Sequence, residues 1–239
     1  MDWASLDWKI LDRLREGFIS GRAAEGPYWK SPEDLAHYDF TYAERIGWKW
    51  DHVLRELRLR GWNPPRGTLL DWGCGSGIAH RRIVDAWPAS VSGVRVSDHS
   101  TLAESFSISR MAETHPAIET SSWKRAEEIT TLTISHVLNE LDDDNAEDLM
   151  SAIEAADTII WVEPGTSDVA TQLVAWRERL RKKFSIVYPC PHQGVCGLTA
   201  PENAPHWCHH FAAPPPGVFA DSNWVKFGQR AGIDLRSLP

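Results

Sequence analysis

Leu-Leu-Asp-Trp-Gly-Cys-Gly-Ser-Gly, at positions 69–77, is the stretch that decides the fold of this chain. A short apolar run ends in Asp71, and glycines then stand at alternate positions: Gly73, Gly75 and Gly77. The amphipathic segment 78–87 follows, so the pattern predicts a strand, a glycine-rich turn and a helix. Glycine is needed where the backbone turns tightly and approaches a ligand without an intervening Cβ. This layout is typical of the nucleotide-binding turn of doubly wound α/β domains, although it lacks the G-x-G-x-x-G dinucleotide spacing.

The glycine turn resembles motif I of the class I S-adenosylmethionine-dependent methyltransferases, whose D/E-x-G-x-G-x-G pattern holds the amino acid part of the cofactor. The resemblance implies that S-adenosylmethionine is the cofactor and that this turn supplies part of its binding site. The residues concerned are Asp71, Gly73, Cys74, Gly75 and Gly77. A structural turn in another kind of α/β protein is the alternative.

Strands and helices are predicted to alternate from the glycine turn onward. The strands fall near 68–72, 91–97, 117–121, 131–136, 158–162 and 184–188, and the helices over 78–87, 100–113, 144–156 and 168–183. Such alternation predicts an α/β fold with a doubly wound, mostly parallel sheet. Upstream of it, helices are predicted over 7–21 and 31–60, the second broken near Gly47.

The chain is expected to divide into three parts along its length. Residues 1–65 form a helical N-terminal region, 66–188 a Rossmann-like domain that binds S-adenosylmethionine, and 189–239 a segment rich in cysteine and histidine. That last segment has neither a helical nor a strand period. A long irregular segment in a compact domain is usually functional or held by a metal.

Composition narrows the class of protein further. No apolar run approaches 18 residues and the N-terminus lacks a signal pattern, so neither a membrane span nor secretion is expected. Four cysteines without a regular disulfide spacing suit a reducing cytoplasm. The formal net charge of −8 counts against a large nucleic-acid footprint, which needs clustered lysine and arginine.

Further cofactor contacts are expected where the next strands end. An acid at the end of the second strand often holds the ribose hydroxyls in nucleotide-binding α/β folds, and Asp98 is the candidate here. A helix N-cap carboxylate is the alternative role for Asp98. Trp123, after the third strand, either stacks on adenine or fills the core, and Ser135, ending the fourth strand, is expected to contact the cofactor.

Candidate catalytic residues follow the fourth and fifth strands. Ligands in such sheets bind outside the carboxyl ends of the strands, so His136, Asn139 and Glu140 are expected near the reacting groups. His136 is either a general base or a hydrogen-bonded structural histidine. Glu163, at the end of the fifth strand, either faces the substrate or caps the next helix.

A cysteine–histidine cluster spans positions 189–210. Thiolate and imidazole are preferred ligands of zinc, and thiolates hold iron–sulfur clusters. The candidate ligands are Cys190, Cys196, Cys208 and His209. The spacing is not C-x-x-C, so zinc, an iron–sulfur cluster and a metal-free loop all remain open.

Four patches in this order resemble the small-ribosomal-subunit methyltransferase-like family, which includes mitochondrial assembly proteins and bacterial relatives. They are Leu-Asp-x-Gly-Cys-Gly-x-Gly, Ser-His-Val-Leu-Asn-Glu-Leu, Val-Glu-Pro-Gly-Thr and Pro-Cys-Pro-His-x-x-x-Cys followed by Trp-Cys-His, within residues 39–211. The resemblance implies a partner in the small ribosomal subunit or its rRNA. It also implies a 4Fe-4S cluster on Cys190, Cys196 and Cys208. The family's fourth cysteine has no counterpart here, so His209, then His206 or His192, is expected to replace it.

Three functions are compatible with these patterns. The first is methylation of the small ribosomal subunit or its rRNA, with the basic run Arg177, Arg179, Arg181, Lys182 and Lys183 as a phosphate contact. That run is also ordinary charge at a helix C-terminus. The second is methylation of a small molecule, favoured by the acidic balance and the aromatic N-terminal region. The third is a non-catalytic assembly factor that binds cofactor and metal.

Overall fold

The sheet consists of five parallel strands in a computed structural model that describes residues 1–19, 28–125, 127–236 and 238. The strands are β1 (Gly67–Trp72), β2 (Val91–Ser97), β3 (Thr120–Ser122), β4 (Thr131–Ser135) and β5 (Thr158–Val162). The helices are α1 (Trp8–Ile19), α2 (Pro32–Tyr38), α3 (Glu44–Leu59), α4 (Ile78–Ala86), α5 (Thr101–Thr114), α6 (Asp143–Ala155), α7 (Ser167–Leu180) and α8 (Ser222–Ala231). Short 3-10 turns lie at Trp3–Ser5, Gly197–Thr199 and Pro201–Asn203.

The strand order β3-β2-β1-β4-β5 confirms the predicted doubly wound α/β fold. All four strand pairings are parallel. Helix α4 connects β1 to β2, α5 connects β2 to β3, and α6 connects β4 to β5. The chain runs outward in one direction from β1 to β3 and then crosses to β4 on the other side of β1. At such a switch point the loops after β1 and β4 diverge and leave a crevice at the carboxyl edge of the sheet. The glycine turn therefore opens onto a natural ligand site.

The strand predicted over 184–188 is wrong. The backbone N–H and C=O of Ile186 bond to the side-chain amide of Gln193, at 2.8 and 2.7 Å. A glutamine side chain thus satisfies the groups that a neighbouring strand would have paired. The β-branched and aromatic run resembles a strand in composition, but composition cannot reveal that competing partner. The third strand was predicted slightly too early, at 117–121 rather than Thr120–Ser122.

The helix break predicted near Gly47 is also misplaced. Gly47 lies inside α3, and a Cβ there would come within 2.8 Å of Arg82 Nε on α4. The glycine permits close helix packing instead of ending the helix. The irregularity lies earlier, in a π-helical turn at Asp39–Ala43 that joins α2 to α3. The buried Asp39 in this turn binds Arg81 at 2.5 Å and Arg110 at 3.2 Å, and so fixes the turn to the sheet domain.

Residues from both ends of the chain pack together beside the sheet. Leu11 of α1 and Phe227 of α8 are fully buried in one cluster, and the rings of Trp48 and Trp224 meet edge to face at 4.7 Å. The segment after residue 188 therefore ends by packing on the N-terminal helices. The first helix was predicted over 7–21, and residues 20 and 21 lie outside the described part of the chain. No helix within the described residues has the length and apolar character needed to cross a membrane.

Gly77 provides a test of the glycine turn. Its φ is +81°, and an added Cβ would lie 2.4 Å from His80 Cε1 and 2.5 Å from Ser107 Oγ. Because both the backbone conformation and the space exclude a side chain, we expect Gly77→Ala to lower the free energy of unfolding by about 2 kcal/mol or more. Urea unfolding measures this change. Gly197→Ala, where no atom lies within 4 Å of the added Cβ, is the matched control, and equal losses in both variants would contradict the argument.

Candidate functional site

A cavity of about 460 Å³ lies at the carboxyl edge of the sheet, at the switch point between β1 and β4. One wall is the glycine turn, and others are the ends of β2 and β4. The N-terminal region covers it with α3 and with the rings of Phe18, Tyr28, Trp29, Tyr38 and Tyr42. The cavity is therefore closed by the part of the chain that precedes the α/β domain.

Three of the predicted turn residues line this cavity: Gly73, Cys74 and Gly75. Asp71 and Gly77 do not. Asp71 is fully buried, and its Oδ2 lies 2.8 Å from Nδ1 of the equally buried His80 on α4. Gly77 is the N-cap of α4. These two residues hold the turn against the helix that follows it, so their contact with a ligand would be indirect.

Asp98 lines the cavity immediately after β2. Its Oδ2 accepts a 2.9 Å hydrogen bond from the Gly75 N–H, which joins the ends of β1 and β2. Its Oδ1 accepts from the Ser100 N–H at 2.9 Å. The N-cap of α5 is Ser100, whose hydroxyl accepts from Ala103, so the alternative role of Asp98 as that cap is not observed. Burial raises the pKa of Asp98, while the two backbone N–H groups oppose the rise.

Trp123 and Ser135 lie in different surroundings. Trp123 is absent from the cavity lining and packs against the buried cluster that contains Leu70 and Leu132. Its position matches the core-filling alternative rather than adenine stacking. Ser135 lines the cavity, and its hydroxyl accepts a 3.0 Å bond from Trp50 Nε1 of α3.

His136 is held in an uncommon backbone conformation with φ of +58°. Its Nδ1 lies 3.3 Å from Ser135 Oγ, and its Nε2 lies 3.4 Å from Nζ of Lys49. Burial lowers the pKa of His136 well below its usual value, and nearby Lys49 lowers it further. Because an ammonium only donates, Nε2 accepts and Nδ1 carries the proton. Both ring nitrogens are then engaged inside the chain, which favours the structural alternative for His136.

Asn139 and Glu140 also line the cavity. Burial raises the pKa of Glu140 to about 7, and the charges of Asp98 and Glu163 add to the rise. A carboxyl group with this pKa exchanges a proton near neutral pH, which suits a general base. Of the predicted catalytic residues, Glu140 therefore has the most suitable chemistry.

Glu163 contacts the backbone after β4 instead of facing this cavity or capping α7. Its Oε1 accepts from the N–H groups of Val137 and Leu138, at 3.1 and 3.4 Å, and from Trp161 Nε1 at 2.7 Å. The N-cap of α7 is Thr166. Burial raises the pKa of Glu163 to about 7, although these three donors lower it. Glu163 thus fixes the segment that carries the other predicted residues.

Lys49 is a site residue that was not predicted from the sequence. It lies on α3, is 8% exposed, and lines the cavity. Burial lowers its pKa to about 8. The available signal was a lysine between two tryptophans, at positions 48 and 50, on a helix with a strong apolar face. A lysine there either packs its aliphatic chain and exposes its ammonium group, or buries the ammonium group as well. Sequence alone does not distinguish the two.

The three predicted cysteine ligands line a second cavity of about 580 Å³, together with His209. Burial raises the pKa of the Cys208 thiol, and the charges of Cys190 and Cys196 raise it further, so the three thiols are neighbours. Within the described residues, however, no three histidine, cysteine or acidic side chains converge closely enough to hold a metal ion. The donor chemistry fits a metal, but the loop in this conformation does not form its ligand set.

The basic side chains that follow Trp176 are largely engaged in hydrogen bonds and ion pairs within the protein. Arg177 donates to Cys190 Sγ at 3.3 Å and to two carbonyls of the cysteine loop, residues 189–210. The neighbouring Glu178 accepts from the Cys196 N–H at 2.9 Å. Arg181 pairs with Glu178 at 2.7 Å. Lys183 donates to two carbonyls at the end of α6. These contacts hold the cysteine loop and reduce the charge available to phosphates.

The sequence profile of the Rsm22 family, described as mitochondrial small ribosomal subunit Rsm22, matches residues 51–214. That span is more than half of the chain and contains the glycine turn, the end of β4 and the cysteine loop. The chain belongs to the Rsm22 family. The match confirms the family resemblance seen in the four sequence patches.

A curated relative matches a shorter stretch of the chain. A tRNA U34 carboxymethyltransferase of Pseudomonas fluorescens is 33% identical over 96 residues, which is 39% of this chain and 28% of that protein. The chain thus matches under a third of that relative's length.

Two solved structures share the general architecture. Magnesium protoporphyrin IX methyltransferase of Synechocystis has 19% identity and a TM-score of 0.42, covering 77% of this chain and 90% of that one. TrmK of M. capricolum has 14% identity and a TM-score of 0.37, covering 58% and 63%. Similarities this distant show nothing about function. The fold is assigned from the strand order and the parallel pairings of the sheet.

Glu163 provides a test of how the site is held. Removing its carboxylate leaves three buried donors without their acceptor, so we expect Glu163→Ala to lower the free energy of unfolding by about 3 kcal/mol or more. Chemical denaturation measures the loss. Glu147→Ala, an exposed glutamate on α6, is the matched control and is expected to change stability little. A Glu163 variant as stable as this control would contradict the assigned contacts.

Proposed function

We propose that this protein is an S-adenosylmethionine-dependent methyltransferase that binds its cofactor in the 460 Å³ cavity. The observation that carries the proposal is the hydrogen bond from Gly75 to Asp98. It places the glycine turn and the acid after β2 side by side at the switch point of the sheet. In α/β folds of this kind the first meets a nucleotide's charged part and the second its ribose.

The cavity walls fit the chemistry of this cofactor. A Cβ at Gly75 would meet no atom within 4 Å, so the turn leaves open space where a ligand approaches the backbone. Ser76 Oγ is buried in the cavity wall with no hydrogen-bond partner among the described residues. The carboxylate of Asp98 is an acceptor for ribose hydroxyls. An unpaired buried hydroxyl is costly, and a polar ligand would satisfy it.

When bound, S-adenosylmethionine supplies an electrophilic methyl group on a sulfonium. The side chains around the cavity hold the methyl acceptor, exclude water through the N-terminal rings, and receive the acceptor's proton. Glu140 is our proposed proton acceptor, because its pKa near 7 leaves about half of it ionised at neutral pH. His136, with both nitrogens engaged, orients the segment after β4. Asn139 stands between them in sequence and is proposed to bind the acceptor.

RNA is the proposed methyl acceptor, and the small ribosomal subunit is the proposed partner. Membership of the Rsm22 family supports the partner, and the partial match to a tRNA-modifying enzyme supports RNA as the substrate class. The aromatic lining of the cavity favours a flat ring, which suits a nucleobase and equally a small aromatic molecule. A small-molecule acceptor is therefore the second candidate.

Methyl transfer from radiolabelled S-adenosylmethionine tests both candidates. Small ribosomal subunits and tRNA form one arm, and a ribosome-free small-molecule extract forms the other. We expect label in RNA, and we expect Asp98→Asn to weaken S-adenosylhomocysteine binding about tenfold. Glu140→Gln is expected to lower transfer while binding S-adenosylhomocysteine as tightly as the native protein.

Asp168→Asn, an exposed acid of α7, is the control and is expected to leave binding and transfer unchanged. Label confined to small molecules would contradict the RNA proposal. Label in neither arm, with the cofactor bound, would contradict catalysis and indicate an assembly factor.

We also propose that the cysteine loop binds a metal after rearranging, with Cys190, Cys196, Cys208 and His209 as ligands. The shared cavity of the three thiols supports this proposal. Analysis of anaerobically purified protein is expected to give iron and sulfide, with loss of both in Cys196→Ser. Cys74→Ser, which removes the thiol of the glycine turn, is the matched control and is expected to retain them. Zinc alone would favour a structural site, and metal-free protein would contradict the proposal.

A further inference from the structure

Lys49 is a buried cation that has no role in the methyl transfer proposed above. Lys49 lies on α3 and lines both the 460 Å³ cavity and the second cavity, which also contains Glu163 and the three thiols. Within the described residues its ammonium has one hydrogen-bond partner, the neutral ring of His136 at 3.4 Å. Among the described residues, no carboxylate oxygen lies within 4 Å of it, since no ion pair of Lys49 is formed there.

Burial of an ammonium group is unfavourable in free energy unless an anionic group pairs with it. Burying an unpaired ammonium costs several kcal/mol, and the lowered pKa of Lys49 reflects that cost. Glu163 attracts Lys49 without forming an ion pair with it. Its Oε1 accepts from three donors, and its buried Oε2 has no hydrogen-bond partner among the described residues. A pKa of about 8 still leaves Lys49 mostly charged at neutral pH. The arrangement therefore calls for an anionic ligand group inside the cavity.

The position of Lys49 indicates which anionic group of a ligand it would bind. The glycine turn and the segment after β4 touch each other, because a Cβ at Gly73 would come within 2.5 Å of Val137 Cγ1. His136, the partner of Lys49, is the residue before Val137. The amino acid part of a cofactor held by the glycine turn would thus lie next to this ammonium. The lining also contains the acids Asp98 and Glu140 and a second cation, Arg45.

We infer that Lys49 binds the carboxylate of the cofactor's amino acid part. This inference rests on the proposed function, because it presupposes that S-adenosylmethionine occupies the cavity. Charge is then complementary along the cavity: Lys49 meets the carboxylate, and the acids meet the ribose hydroxyls and the positive groups. His136 orients Lys49 by accepting a hydrogen bond from one of its N–H groups, which leaves two N–H donors for the ligand.

Equilibrium binding of two ligands to the full chain tests this inference. S-adenosylmethionine and its decarboxylated form differ by the carboxylate alone, so their comparison isolates that group. A charge-assisted hydrogen bond in a buried site corresponds to about ten- to a hundredfold in affinity. We expect the native protein to prefer the carboxylate-bearing ligand by that factor. Lys49→Met is expected to remove the preference by weakening only that ligand, which is the signature of coupling in a double-mutant cycle.

Two further variants complete the experiment. Lys49→Arg keeps a cation and is expected to retain part of the preference. Lys226→Met, an exposed lysine of α8 outside the cavity lining, is the control and is expected to retain all of it. Native protein that binds both ligands equally would overturn the inference even if Lys49→Met did not fold. Equal weakening of both ligands in Lys49→Met would also overturn it. Native protein that binds neither ligand would instead refute the proposed function.

Discussion

The contact between the glycine turn and the segment after β4 is the constraint on which the site depends. Gly73 approaches Val137 so closely that no side chain could stand at position 73. The carboxylate of Glu163 holds the opposing segment by accepting from the N–H groups of Val137 and Leu138. Because three strand ends are fixed by these contacts, the cavity walls are set before any ligand arrives. Preorganisation of this kind lowers the cost of binding.

The N-terminal region completes the cavity through polar contacts with the sheet. Trp50 donates to Ser135, and Lys49 meets His136, so α3 is tied to the end of β4 at two successive residues. Asp39 in the π-helical turn binds arginines of α4 and α5. The helices before the α/β domain are therefore part of the site rather than a separate cover. The charged side chains they add to the lining are Arg45 and Lys49, together with several aromatic rings.

The doubly wound sheet could be predicted from the sequence because it rests on local patterns. The glycine turn, the alternation of strands and helices, and the acid after β2 are all local signals. The strand predicted over 184–188 is wrong because the side chain of Gln193, seven residues after Ile186, bonds the backbone groups that a neighbouring strand would have paired. Lys49 was missed because its burial depends on how α3 packs across β4. Asp71 was predicted as a ligand residue, but its pairing with His80 requires knowing which helix face turns inward.

Hydrogen–deuterium exchange with and without S-adenosylhomocysteine tests whether the cofactor binds where we propose, at the carboxyl edge of the sheet beneath α3. We predict slower exchange in the glycine turn, 73–77, and in the segment 135–140, with α3 also protected. The cysteine loop, 189–210, is predicted to exchange at an unchanged rate. Binding that protects the cysteine loop and leaves the glycine turn unaffected would contradict the account.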